Sequence, residues 1–118
     1  TFRPRPVRRP RIPVWVVATG TSERSMARAA RWDGLVTQVS GAAELAPITA
    51  FLDRARPSWR ADGFELVAQG STPADPAAAA AIVGPWADAG ATWWIDADWE
   101  GATVASQHRR IEAGPPRP

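Results

Sequence analysis

The chain contains no cysteine, no lysine and no tyrosine, and has a single histidine in 118 residues. Without thiols it has neither a disulfide framework nor a thiolate metal site. His108 alone cannot build a histidine cluster, so metal chemistry is not expected. No apolar run approaches the ~18 to 20 residues needed to span a bilayer, and the N-terminus lacks the apolar stretch of a secretion signal. The expectation is a soluble, cytoplasmic protein with room for one domain and a real core. All 14 basic residues are Arg and the formal net charge is only +2. With no Lys or Tyr to titrate below Arg, a high isoelectric point is weak evidence for a polyanionic partner, and nucleic acid is not the expected ligand.

Proline, in contrast, is abundant. Residues 1–12 interleave Arg3, Arg5, Arg8, Arg9 and Arg11 with Pro4, Pro6 and Pro10, and Pro13 follows. Proline fixes φ and removes a donor, so this segment reads as an extended, solvated lead-in. A nucleic-acid arm is the less favoured reading of the same residues.

From Val14 the chain alternates. Residues 14–17 (VWVV) are strand-like, 23–31 place Met26, Ala29 and Ala30 at helical spacing, and 35–39 (LVTQV) return to a strand. A helix over 42–56 carries Leu45, Ile48, Leu52 and Ala55 on one face, and the loop around SWRADG ends it. The third strand is FELVAQ, with Phe64, Leu66 and Ala68 on one side and Glu65, Val67 and Gln69 on the other. Asp75 and Pro76 open an alanine-rich helix as N-cap and first helical residue. Gly84 and Pro85 are expected to kink it or divide it in two. Gly90 is a C-cap candidate, ATWWID is the fourth strand, and a last helix over 102–113 stops at GPPRP. Helices separating four strands imply parallel pairing through right-handed crossovers, hence an α/β fold.

Few positions carry chemistry. Thr19, Gly20, Thr21 and Ser22 join the first strand to the first helix, where unpaired N–H groups, hydroxyls and Arg24 or Arg28 could meet an anion. An ordinary βα turn with Ser22 as N-cap explains the same residues. Gln69, Gly70 and Ser71 follow the third strand at its carboxyl end and are open to the same two readings. Asp96 and Asp98 share a face, yet no partner for acid/base work is evident, so solvated or helix-capping carboxylates are expected. Trp15, Trp93, Trp94, Trp32 and Trp86 read as packing between sheet and helices, and Trp99 as rim or core packing. Asp33 with Gly34 reads as a turn and His108 as a surface residue. No serine can be matched to a histidine and carboxylate.

The segments RPRIPVWVVATG, MARAARWDGLV, GSTPADPAAAAAIVGPWADAGATWWID and RIEAGPPRP resemble the carboxy-terminal part of luciferase-like monooxygenases. That superfamily comprises flavin- and deazaflavin-dependent oxidoreductases. The resemblance runs from about Phe2 to Pro118 and implies that 13–114 are the last four βα units of a (βα)8 barrel, with 115–118 a Pro-rich tail. It further implies that the first βα loop holds the phosphate-bearing tail of FMN or coenzyme F-420 through Thr19, Gly20, Thr21 and Ser22, with Arg24 a further candidate. Gln69, Gly70 and Ser71 are placed to touch the flavin. The first half of such a barrel supplies much of the substrate pocket, so the chain alone is not expected to be an active monooxygenase. Two open parallel edges and an apolar inner face favour association with that missing half or with a second copy. The alternative expectation is a non-catalytic half-barrel that acts in dimerisation or interaction.

Overall fold

In the computed structural model, residues 8–19 and 22–114 are described. The elements are β1 (Trp15–Ala18), α1 (Glu23–Ala29), β2 (Gly34–Thr37), a 3-10 turn (Ala42–Glu44) running into α2 (Leu45–Ala55), β3 (Glu65–Gly70), α3 (Pro76–Asp88), β4 (Trp93–Asp96) and α4 (Val104–Ala113). The fold is α/β, as the alternation implies. The four strands form one parallel sheet in the order β1-β2-β3-β4.

Sequential order has a geometric consequence. Each parallel neighbour needs a crossover, and right-handed crossovers that all advance in one direction lay their helices on one face of the sheet. By register, that face carries Val16, Ala18, Leu35, Leu66, Ala68 and Trp94. Met26 and Ala29 of α1, Leu45, Ile48, Phe51 and Leu52 of α2, and Trp86 of α3 pack onto it. Leu35, Leu45, Leu52 and Leu66 are sealed from solvent, and each contributes about 1.5–3 kcal/mol by burial. FELVAQ sorts as its alternation implies, with Leu66 and Ala68 toward the helices and Val67 and Gln69 away.

Local chemistry sets the ends. Asp75 accepts a hydrogen bond from the Ala78 amide at 2.8 Å, with Pro76 in the first turn. Gly90 takes a φ of 105° just beyond α3, the left-handed conformation that only glycine adopts cheaply. Ser22 occupies the N-cap position of α1, yet its side chain makes no capping bond.

Two expectations need correction. First, α3 continues as one helix through Gly84 and Pro85 and is not divided in two. Pro85 lies near its end, where a single lost N–H bond costs less than starting a new helix would. Second, Trp15 and Trp93 lie on the face opposite the helices, where their rings meet at 5.2 Å. Only Trp94 turns inward, edge-on to Trp86 at 5.7 Å. The loop after α2 does more than end that helix, because it closes the core. Trp59 is buried against Phe64 at 6.3 Å, and its indole N–H donates to Asp53 at 2.8 Å.

The face opposite the helices is open. Trp15, Val17, Val36, Val67, Gln69, Trp93 and Ile95 share it by alternation. Trp93 is 51 % exposed and Val17 45 %, whereas Val67, on the strand between the two indoles, is fully buried. Among the described residues no strand pairs with the outer edge of β1 or β4. Among the same residues, no helix is long and apolar enough to cross a membrane.

Candidate functional site

At the carboxyl end of a parallel strand the backbone leaves the sheet, so side chains from neighbouring strand ends converge there. Val17 of β1, Val36 of β2, the residues Gln38, Val39 and Ser40 that follow β2, and Gln69 of β3 line a groove of about 590 Å³ on the open face. Trp99, 80 % exposed in the loop before α4, forms one wall. Asp98 shapes that loop by accepting from the Gly101 amide at 2.8 Å and the Glu100 amide at 3.3 Å. The floor is aliphatic and the rim consists of two amides and a hydroxyl. Among the described residues no ionisable side chain lines it.

The first βα corner stands beside this groove. Thr19 follows β1, its amide donating to Ser25 Oγ at 3.4 Å and its carbonyl accepting from the Ser22 amide at 3.3 Å. Gly20 and Thr21 lie outside the described residues. Arg28 Nη2 donates to the Val17 carbonyl at 3.3 Å. Arg24 is exposed on the outer flank of α1, around a separate hollow with Ser22, Ser25, Ala27, Arg28 and Arg31.

A polar clasp occupies the ends of β3 and β4. Asp96 Oδ2 accepts from Thr72 Oγ1 at 2.8 Å and from Arg110 Nε at 2.9 Å, with Arg110 Nη2 also on Oδ2; Oδ1 accepts from the Thr72 amide at 3.1 Å. Arg110 reaches on to the Gly114 carbonyl at 2.6 Å. Partial burial pushes the Asp96 carboxyl up, and the bonds from Arg110 and Thr72 overcome this and hold it below the usual carboxylate range. Asp96 is exposed, as expected of a solvated carboxylate, but it is held by Arg110 and Thr72 and caps no helix. Ser71, Asp98, Ser106 and Gln107 surround the same small hollow of about 160 Å³.

No protein-family model, curated protein or solved structure matches this chain.

The six candidate positions among the described residues therefore fall into three places. Thr19, Ser22 and Arg24 belong to the β1–α1 corner. Gln69 faces the groove. Gly70 and Ser71 lie toward the clasp. Gly70 has a packing reason of its own, since a Cβ there would sit 2.7 Å from the Trp94 ring. Val17, Val36, Gln38, Val39 and Ser40 were not picked out from the sequence. Their signal is position alone, as the last open-face residue of a strand and the residues just after it, where α/β sheets bind ligands. The groove can bind and orient a flat ring through apolar contact below and hydrogen bonds at the edge. Proton transfer is beyond the residues that line it.

Proposed function

We propose that the chain forms one half of a (βα)8-barrel oxidoreductase of the luciferase-like type and contributes a wall of the site for FMN or coenzyme F-420. The observation that carries this reading is the neutral groove on the open face, at the carboxyl ends of three parallel strands. Barrel enzymes bind their ligands at that end, and strands in sequential order with helices on one face suit half of such a barrel. The donor set fits the cofactor: an aliphatic floor suits a planar heterocycle, and Gln38, Gln69 and Ser40 can pair with its amide-like edge. The bound cofactor would supply the hydride or oxygen chemistry. The chain's own residues would bind and orient it. Val17, Val36 and Val39 would exclude water from one ring face, Trp99 would cover its rim, and Thr19 with Ser22 would meet the phosphate-bearing tail.

The test is titration of FMN and of F-420 into the purified chain, read by tryptophan and cofactor fluorescence. Saturable quenching that disappears in Val36→Arg, which fills the groove, and survives in the exposed Arg109→Ala supports the reading. Absence of saturable binding of either cofactor sinks it. A second reading, a non-catalytic half-barrel for assembly, is favoured by the open strand edges and the exposed Trp93 and Val17. It forecasts a stable oligomer indifferent to both cofactors.

A further inference from the structure

Arg24, Arg28 and Arg31 recur at spacings of four and three, so at 100° per residue they fall within about 60° of one another on the outer flank of α1 and the turn after it. All three are exposed. Ala27 lies about 40° to the side of Arg31, and its small side chain borders a hollow of about 610 Å³ bounded by Ser22, Arg24, Ser25, Ala27, Arg28 and Arg31. Four arginines elsewhere are consumed by carboxylates, Arg11 by Asp33, Arg56 by Asp62, Arg60 by Asp53 and Arg110 by Asp96, whereas Arg8, Arg9, Arg54 and Arg109 pair with none among the described residues but line no such hollow. Among the described residues the flank arginines have no such partner, and residues 1–7, 20–21 and 115–118 contain no Asp or Glu that could supply one.

Two contacts pre-organise the hollow. Arg28 is tethered through Nη2 to the Val17 carbonyl at 3.3 Å, which leaves its other N–H groups to donate outward. Ser25 Oγ accepts from the Thr19 amide at 3.4 Å, so its own proton remains to be given. The guanidinium groups spring from points spaced about 6 Å and about 4.5 Å along the axis at 1.5 Å per residue. That series suits several oxyanion groups in a row better than one.

We infer that this flank binds a small linear polyanion carrying two or more phosphate or carboxylate groups. Arg28 and Ser25 grip one group, and Arg24 and Arg31 hold its neighbours on either side. The hollow is separate from the neutral groove and shares with the oxidoreductase reading only Ser22, which this grip does not use, so the inference does not depend on that reading. A hollow of this size matches a small molecule, while a net charge of +2 over the whole chain does not make the broad basic surface that a nucleic-acid backbone needs.

Calorimetric titration of the intact chain with tripolyphosphate, tricarballylate, orthophosphate and a short single-stranded oligonucleotide tests this. Expected is binding of tripolyphosphate or tricarballylate at least tenfold tighter than of orthophosphate, weakening as salt is raised; the tighter of the first two identifies phosphate or carboxylate as the ligand group. Arg24→Gln and Arg31→Gln, both at exposed positions, should each weaken it severalfold, and Arg28→Gln tenfold or more, with the circular dichroism spectrum unchanged. No binding of either polyanion, or binding that survives Arg24→Gln with Arg31→Gln, overturns the inference. So does tighter binding of the oligonucleotide that the same substitutions remove.

Discussion

Tryptophan shows how one side chain takes different work from its surroundings. Trp59 and Trp94 both face the helix-covered core, yet Trp59 donates its N–H to Asp53 at 2.8 Å, whereas the Trp94 indole nitrogen is buried without a partner. Replacement by Phe removes comparable volume at each position, so the difference between the two losses isolates the hydrogen bond. Trp59→Phe should cost about 1–2 kcal/mol more than Trp94→Phe, because it removes a made hydrogen bond and leaves Asp53 with Arg60 as its remaining side-chain donor. Urea denaturation of both variants measures this, and equal losses would show that the Trp59 bond contributes nothing net. Asp53 itself is held below the usual carboxylate range by the Trp59 and Arg60 bonds. Glycine at position 34 has a similarly local reason, since a Cβ there would lie 2.6 Å from the Trp15 ring and 2.8 Å from the Glu65 carbonyl oxygen.

Among the elements, α4 is the exception. α1, α2 and α3 each bury apolar side chains, but no residue of α4 is buried, and Val104 and Ile111 are 86 % and 76 % exposed. Its links to the sheet are polar, running from Arg110 to Asp96 and Thr72. The Asp96 carboxyl is lowered in the folded state, so its contribution is fully present above the unfolded value of about 3.9 and is lost as pH falls through the folded value. Hydrogen exchange of 104–113, corrected for intrinsic rates, should therefore rise in acid before exchange in the strands does. In Asp96→Asn the same rise should be present already at neutral pH. Equal protection of α4 in wild type and variant would exclude the clasp as its tether. This clasp was not legible in the sequence, because Asp96 and Arg110 stand fourteen residues apart with no periodicity to link them. The strands were legible, because parallel strands flanked by helices read as short apolar runs between turn residues. Which face Trp15 takes was not, because VWVV has no polar alternation and only register with β2 and β3 decides it. The groove was hidden for a related reason, since three strand ends build it and none has a local signature.

For the whole molecule, the question is what covers the side of the sheet that the helices leave bare. Trp15, Val17, Trp93 and Ile95 make it apolar, Trp93 and Trp15 stack across it, and the backbone of both edge strands is unpaired among the described residues. A bare apolar face beside unpaired strand edges drives association, whether the cover is another protein or a second copy of this chain. Light scattering during size exclusion should therefore find the isolated chain larger than a monomer at tens of micromolar. Combined Trp93→Gln and Ile95→Thr should shift it to the monomer. Helical content should persist, because Leu35, Leu52 and Leu66 hold the helices from the opposite face. A wild-type chain that stays monomeric at every concentration and binds no hydrophobic dye would mean that Trp15 and Trp93, by folding over Val67, already shield this face. The open side would then be a finished surface, and both the half-barrel and the assembly readings would lose their physical motive.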